Sequence, residues 1–285
     1  MVSPKANNKL KATFITIKKT LLTRLSPFVI IAFGDTIMKE KEIIENRYNT
    51  VSKANELIQK SRYSLSTQQQ KIILYLISQI NPYATEFKKT TFKIKDFCQV
   101  CGIDCGNGNN YITLKEQIKK IADKSCWIKL ENGKETLLRW IEKPYIDENN
   151  GTIEIVFDKD MKPYLLQLKE RFTQYELCFP LLFKSKYTIR LFELLESYHF
   201  HKLEQMYIEF SVEELKRLLD CENYKQFKDF NTRVLKPAVN ELNEKSMYNI
   251  DFDCLKDGRK IVKIRFNKVI KNTLEQLKTR SESKF

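Results

Sequence analysis

Two segments of this chain repeat one pattern of apolar and polar positions at a constant offset of 121 residues. The apolar positions are spaced i, i+4 and i+7, which places them on one face of an amphipathic helix. They are Leu114, Ile118 and Ile121 in the first copy, and Leu235, Val239 and Leu242 in the second. A Lys-Ser pair and an aromatic residue follow each copy, and a turn signal comes next, Asn132-Gly133 or Asp257-Gly258. The pattern predicts two units in which a helix leads into a β-hairpin.

The residues before the first copy add further elements. Ser66-Thr67-Gln68-Gln69 is a capping box that starts an almost wholly apolar helix, which ends at Asn81-Pro82. The other predictions for this half are a short helix over Val51–Ser61, a strand over Thr90–Lys95, a short helix ending at Cys101-Gly102, a basic helix over Tyr111–Lys124, and a strand over Thr152–Phe157.

The second half repeats this order after a bridging stretch at 158–180. Its predicted elements are a helix from Ser185, a strand over Met206–Phe210, a helix over 212–219 capped by Ser211, a long helix over about 225–245, and strands over 247–254 and 260–267. Helix, strand, helix, helix and hairpin follow one another in both halves, although Lys93 stands where the second copy has the capping Ser211. The order predicts an α+β fold of two tandem winged-helix domains, each a helix-turn-helix with a β-wing.

Charge suggests what such a fold binds. Lys and Arg number 50 against 36 Asp and Glu, for a net charge of +14 and a pI near 9.3. This excess favours a polyanionic partner. The alternative is a basic protein without such a partner, from a genome whose AT-rich codons accumulate lysine. The seven glycines are too few for a glycine-rich phosphate-binding fold.

Residues 1–40 and the cysteines do not match this pattern. The apolar segment 21–33 contains Arg24 and Pro27 and is too short to span a bilayer. It could be a weak membrane-associated segment, a signal-like segment, a disordered arm, or sequence upstream of a true start at Met38, which we favour. The seven cysteines are expected to be reduced thiols of a cytoplasmic protein. Buried apolar thiols are favoured over a zinc site for the run Cys98, Cys101 and Cys105.

With this layout, the chain resembles the initiator Rep proteins of iteron-containing, theta-replicating plasmids. The resemblance covers about residues 45–270. It is carried by SLSTQQQKIILYLISQI at 64–80, FTQYELCFPLLFKSKYTIRLFELLESY at 172–198, FSVEELKRLL at 210–219 and FKDFNTRVLKPAVNELNEKSMYNIDF at 227–252.

This resemblance implies binding to duplex origin repeats (iterons), with no catalytic activity and no cofactor or metal. It also implies monomer–dimer behaviour, recruitment of host initiator and helicase proteins, and regulation of its own transcription. On this basis the chain divides into an extension at 1–40, a first winged helix at 41–170 for dimerisation and DNA-backbone contact, a second at 171–270 for sequence-specific binding, and a tail at 271–285. No membrane partner is expected.

The candidate DNA-binding residues lie opposite the apolar stripe of the second long helix. They are Lys225, Lys228, Asn231, Thr232, Arg233 and Lys236. Arg can pair with guanine, Asn with adenine, and Lys neutralises phosphate. Pro237 should either kink this helix or mark the junction of two helical segments. The alternative for these charges is a solvated helix face.

The first long helix and the wing supply further candidates. The lysines of the first helix suit phosphate contact, whereas polar residues at its start could reach bases. The lysines are Lys115, Lys119, Lys120 and Lys124, and the polar residues are Asn109, Asn110, Tyr111 and Thr113. Wing residues that could reach phosphates or the minor groove are Lys256, Arg259, Lys260 and Lys263.

Two other functions share parts of this pattern. His199-Phe200-His201, with Tyr224 and Lys228, resembles the metal-binding and nucleophilic residues of rolling-circle nicking enzymes. We favour helix-end histidines instead, because the triplet ends a helix. A two-domain transcriptional repressor would use the same DNA chemistry, and only the resemblance favours replication initiation.

Overall fold

The computed structural model describes residues 41–103, 108–198 and 207–282. The chain forms two compact units, Met1–Glu45 and Asn46–Phe285. Of the first unit, residues 41–45 are described, and they are helical. The apolar segment 21–33 and Met38 lie outside the described residues. In the described part, no helix combines the length and apolar character that crossing a membrane requires.

The first half of the larger unit begins with a strand where a helix was predicted. Its elements are β1 (Thr50–Ala54), α1 (Asn55–Lys60), β2 (Ser61–Arg62), α2 (Thr67–Ser78), β3 (Thr90–Lys93), α3 (Ile94–Cys101), α4 (Gly108–Ala122), β4 (Ser125–Lys129), β5 (Glu135–Arg139), β6 (Tyr145–Asp147) and β7 (Thr152–Ile155).

The predicted helix Val51–Ser61 is wrong over its first residues. They form β1, which pairs antiparallel with β8 (Phe172–Glu176), so that Val51 lies opposite Tyr175. The backbone N–H and C=O groups of a half-buried segment need partners, and β8 supplies them from more than a hundred residues away. The predicted bridging stretch at 158–180 therefore contains a strand, together with a 3-10 turn (Lys159–Met161) and the short helices α5 (Lys162–Leu165) and α6 (Cys178–Leu182).

Local sequence signals predicted most other elements of this half, although not the strands β2 and β6. The Ser66 hydroxyl accepts a hydrogen bond from the Gln69 N–H at 3.2 Å, and the Gln69 side chain returns one to the Ser66 N–H at 3.0 Å, which confirms the capping box. Helix α3 ends at Gly102, whose φ of 66° is left-handed. The hairpin of β4 and β5 turns at Gly133, with φ of 80°. Glycine adopts both conformations without steric cost.

The second half repeats the predicted order. Its elements are α7 (Lys186–Ser197), β9 (Tyr207–Ser211), α8 (Val212–Leu218), α9 (Phe227–Phe230), a π-helical segment (Asn231–Leu235), α10 (Lys236–Lys245), β10 (Tyr248–Asp257), β11 (Lys260–Ile270) and a terminal helix α11 (Thr273–Glu282). β11 lies between β10 and β9 in one antiparallel sheet. Pro237 stands at the start of α10, so it marks the junction of two helical segments, one of its two predicted roles. The predicted α+β order of two winged helices is confirmed.

Helix α7 joins the two halves through a buried charge cluster. Every residue from Thr188 to Ser197 is buried, and the helix packs against α1, α2, α10 and β8. Glu193 forms a buried ion pair with Lys53 and accepts hydrogen bonds from the hydroxyls of Tyr63 and Tyr175, at 3.2 and 2.5 Å. Burial opposes ionisation of Glu193, but the positive charges of Lys53 and Arg190 hold its pKa below the usual range.

Candidate nucleic-acid interface

The turn of the second helix-turn-helix is held by its own side chains. The Ser211 hydroxyl accepts from the Glu214 N–H at 3.0 Å, and this caps α8. The helix ends at Leu218. Two residues later Asp220, a non-glycine residue, has a left-handed φ of 53°, and the Cys221 N–H donates back to the Lys216 carbonyl at 2.9 Å. This closure satisfies carbonyls that a helix end otherwise leaves without partners.

Two lysines fix the turn to its surroundings. Lys216 Nζ donates to the Tyr224 carbonyl at 2.6 Å and lies 5.5 Å from the centre of the Phe230 ring. Lys186, at the start of α7, forms a 3.1 Å ion pair with Asp220. Sequence reasoning missed these contacts. Asp220 offered the one local signal, since Asp tolerates the left-handed conformation better than most residues do. We infer that α9 starts from a fixed position and direction.

The helix after the turn, which we call the recognition helix (residues 227–245), has one buried face and one exposed basic face. Phe230, Val234, Leu235, Val239 and Leu242 are buried as predicted, and Phe227 is half-buried. The predicted contact residues Lys225, Lys228, Thr232, Arg233 and Lys236 are all exposed. The structure therefore leaves these five side chains exposed on the recognition helix and its approach.

Asn231 does not fit this exposed set fully. Asn231 as a whole is half-buried, and its Oδ1 atom is buried without a hydrogen-bond partner among the described residues. A bidentate contact to adenine needs both the oxygen and the nitrogen of the amide. In this conformation Asn231 presents at most its nitrogen.

The recognition helix is also tied to the first half of the unit. The Lys184 N–H donates to Glu241 Oε1 at 2.7 Å, and the Lys184 carbonyl accepts from the Thr67 hydroxyl at 3.3 Å. Lys245 pairs with Glu241 at 3.1 Å. Burial opposes ionisation of Glu241, but the Lys184 N–H and Lys245 hold its pKa below the ordinary value. The segment between α6 and α7 thus connects the recognition helix to α2.

The wing places its basic residues beside acidic ones. The strands β10 and β11 turn at Gly258, with φ of 57°, next to the exposed Arg259. Lys260 lies 3.5 Å from Glu213, and Lys263 lies 3.5 Å from Glu209. Both lysines remain more than half exposed, so these are surface ion pairs that bound phosphates could replace. Lys256 is also exposed.

The lysines of the first long helix, α4, differ in their surroundings. Lys115 is held by Glu148 and is mostly covered, whereas Lys119 and Lys120 are exposed. Lys119 lies 3.5 Å from Glu116. Lys124 donates to the Ser64 carbonyl at 2.6 Å and to Gln69 Oε1 at 3.0 Å, and these two hydrogen bonds hold its side chain at the N-terminus of α2. The expectation that Lys124 contacts phosphate has no support in this geometry.

Some candidates lie beyond the description. The side chains of Asn109, Asn110 and Tyr111 fall outside the described residues, as do His199-Phe200-His201, while Thr113 is exposed.

The described cysteines are not arranged as a metal site. Among the described residues, no group of His, Cys, Asp and Glu is placed to hold a metal ion. Burial raises the pKa of the Cys101 thiol to about 12, which favours the neutral form over a metal-binding thiolate. Cys98 is buried and forms a disulfide bond, so the expectation of reduced thiols is wrong there. Cys105 lies outside the described residues.

Comparison with known families matches both halves of the chain. The sequence profile described as "Initiator Replication protein, WH1" matches residues 50–196, more than half of the chain. The profile described as "Initiator Rep protein, WH2" matches residues 211–268. This chain belongs to the initiator replication protein family. The predicted resemblance and the predicted tandem winged-helix fold are therefore confirmed, and the family is one of initiators, not of nicking enzymes.

Individual relatives agree with this assignment. The initiator is 33% identical over 217 residues to a replication initiation protein of Escherichia coli. The matched region covers 73% of this chain and 66% of that protein. The chain thus spans just under two thirds of that relative. Its fold matches the crystal structure of the Pi initiator protein in complex with iteron DNA, with a TM-score of 0.66 at 21% identity, over 79% of this chain and 99% of that one.

Proposed function

We propose that this initiator starts plasmid replication by binding repeated duplex sequences at its origin. The observation that carries the proposal is the recognition helix, because its apolar face is buried and five predicted contact residues are exposed on the other. A helix of this kind fits the major groove, where base edges differ between sequences. Membership of the initiator family supports the same function. The initiator binds DNA without catalysing a reaction and acts in the cytoplasm.

We propose that the two winged helices contact DNA in different ways. The second reads bases through Thr232 and Arg233, while Lys225, Lys228 and Lys236, together with the wing residues Arg259 and Lys260, contact phosphates. The first adds backbone contacts through Lys119 and Lys120. Lys115 contributes less, because Glu148 already neutralises it.

The first winged helix also mediates self-association in this proposal. Trp127 and Leu137 lie opposite each other on the hairpin of β4 and β5, with 43% and 49% of each residue exposed. Among the described residues, β5 pairs with β4 alone in its sheet and is therefore an edge strand. Trp127→Asp should shift a dimer towards monomer in analytical ultracentrifugation, whereas the nearby exposed Lys129→Asp should not.

Host initiator and helicase proteins complete the proposed partners. Exposed apolar residues at the end of β11 and on α11 support such contacts: Val269, Ile270, Leu274 and Leu277.

The decisive experiment has two arms. The full chain is first used to select sites from a randomised duplex library, and its footprint is then mapped on the origin of the replicon that encodes it. We expect protection of several copies of the selected site. The second arm asks whether a plasmid carrying that origin is maintained only when the initiator is supplied. Specific binding without maintenance would favour a transcriptional repressor, and no selected site at all would contradict the proposal.

A further inference from the structure

The recognition helix contains a widened turn at the residues proposed to read DNA. Residues Asn231–Leu235 are π-helical, and the Lys236 N–H donates to the Asn231 carbonyl, five residues back. Pro237 follows directly. It has no N–H to donate to the Arg233 carbonyl, and in a regular α-helix its ring would clash with that carbonyl. The wider turn removes the clash.

The widened turn also narrows the apolar stripe of this helix. Phe230, Val234, Ala238 and Leu242 are all 1% exposed or less, and they are spaced by four throughout. A regular α-helix turns by about 100° per residue, so a residue four positions on lies about 40° around the helix from the first. Over the three steps from Phe230 to Leu242, the buried positions would move about 120° around the helix. A π-helical turn takes up one more residue and cancels most of this drift.

The first winged helix provides an internal comparison. Its buried positions Leu114, Ile118 and Ile121 are spaced four and then three, as are Leu235, Val239 and Leu242 in the second, so the π-turn lies before the spacing that both helices share. Glu116 stands at the position that corresponds to Pro237, and α4 continues through it without a break. The π-turn is therefore a property of the second winged helix, together with its proline.

The extra residue decides which side chains face outwards. It turns the first half of the recognition helix by about 100° relative to a regular continuation of the second half. With this rotation Phe230 and Val234 reach the core, and Thr232 and Arg233 are exposed. Without it, either the apolar residues would leave the core or Arg233 would point elsewhere.

We propose that this π-turn, kept in place by Pro237, determines DNA specificity by orienting Thr232 and Arg233 towards base edges. The inference rests on the proposed function of the recognition helix. Pro237 is a positioning residue, since it acts through the backbone that carries the contacting side chains.

A one-residue deletion tests the rotation directly. Deleting Thr232 in a Pro237→Ala background leaves a spacing that a regular α-helix can bury on one face, so the full-length variant should fold. It should lose about tenfold or more of its preference for the wild-type selected duplex over a scrambled duplex, since base contacts are misdirected. Binding to the scrambled duplex should also weaken, because the rotation moves Lys228 relative to the phosphates, so the ratio of the two affinities is the quantity that tests the proposal. The matched control is Thr232→Ala, which removes the side chain but keeps the turn.

The outcomes separate this inference from the proposed function. If the deletion variant discriminates as well as Thr232→Ala does, while Arg233→Ala loses discrimination, the helix reads DNA and the π-turn proposal is overturned. If Arg233→Ala and the deletion variant both discriminate like the wild type, the recognition helix is not the reading element. Should the deletion variant fail to fold, Pro237→Ala alone decides: it should select altered or degenerate sites from the randomised library, and an unchanged selected site overturns the proposal.

Discussion

Arg233 and Asn231 lie two positions apart on the recognition helix, but their environments differ. The Arg233 side chain is exposed, whereas the Oδ1 atom of Asn231 is buried without a partner among the described residues. Residue type alone suggests that both read bases, since Arg and Asn each make bidentate contacts. Exposure favours Arg233 as the main specific contact.

Arg233→Ala should weaken binding to the selected duplex by about 1–3 kcal/mol, and affect a scrambled duplex far less. The physical reason is that a bidentate contact to a base edge exists on the correct sequence only. Fluorescence anisotropy at one salt concentration measures both affinities, with the exposed Asn240→Ala on the same helix as the control. Equal losses on the two duplexes would assign Arg233 to the DNA backbone.

The buried pair of Lys53 and Glu193 leads to a prediction about stability. Glu193→Gln leaves Lys53 as a buried charge without its counter-ion, so it should lower the free energy of unfolding by about 3–5 kcal/mol at neutral pH. Urea denaturation measures this change. The control is Glu56→Gln in the exposed pair with Lys60, where we expect less than about 0.5 kcal/mol.

The same pair sets the pH dependence of this difference. The folded pKa of Glu193 is below its ordinary value of 4.5, so its stabilisation is present above that value and is lost as the pH falls through the folded pKa. The stability gap between wild type and Glu193→Gln should therefore narrow as the pH decreases below about 4.5. A gap that stays constant down to strong acid would show that the carboxylate charge is not what stabilises the cluster.

At the scale of elements, the two long helices carry different kinds of surface. The recognition helix combines an arginine with lysines and a π-turn, whereas α4 is regular and its described exposed cations are lysines. Lysine is a point charge that suits phosphate, and this difference favours backbone contact for the first winged helix.

Lys119→Ala and Lys120→Ala should weaken binding to the selected and scrambled duplexes about equally. Each should reduce the slope of log K against log salt by about 0.9 if it removes one phosphate contact. Lys115→Ala is the matched control, because the ion pair with Glu148 covers Lys115 and should make its effect smaller. A salt slope that is unchanged in both variants would remove α4 from the interface.

At the scale of the whole molecule, Arg190 connects the two winged helices. Its Nη2 atom donates to the carbonyls of Ile58 and Ser61 at 2.6 and 2.8 Å, and its Nε atom donates to the Leu218 carbonyl, at the end of α8, at 3.1 Å. One buried side chain thus donates hydrogen bonds to carbonyls at the end of α1 in the first half and at the end of α8 in the second. The profile of the first winged helix runs to residue 196, past the boundary at residue 170 expected from sequence, and it includes Arg190.

Arg190→Met should therefore destabilise the chain by about 3 kcal/mol or more, because it leaves buried carbonyls without donors. It should also separate the unfolding of the two winged helices, which differential scanning calorimetry would record as two transitions. Arg62→Ala is the control, since Arg62 joins the halves through an exposed pair with Glu222. A single transition with wild-type stability would show that Arg190 does not couple them.

The sequence alone determined the features that depend on neighbouring residues. The capping box at Ser66, the turns at Gly133 and Gly258, and the buried stripes of both long helices follow from local periodicity and backbone preference, so they were predicted correctly. The same holds for the exposed basic face, because the opposite side of an amphipathic helix faces solvent.

Tertiary structure decided what depends on distant partners. Residues 50–54 became a strand because β8 satisfies their backbone, and Lys124 bonds to Ser64 and Gln69 because the fold brings the N-terminus of α2 beside it. The cluster around Glu193 depends on Lys53, Tyr63 and Tyr175, which come from three separate segments. A local pattern specifies the conformation that a segment favours, but the partners that satisfy its polar groups and fill its core are fixed only when the chain folds.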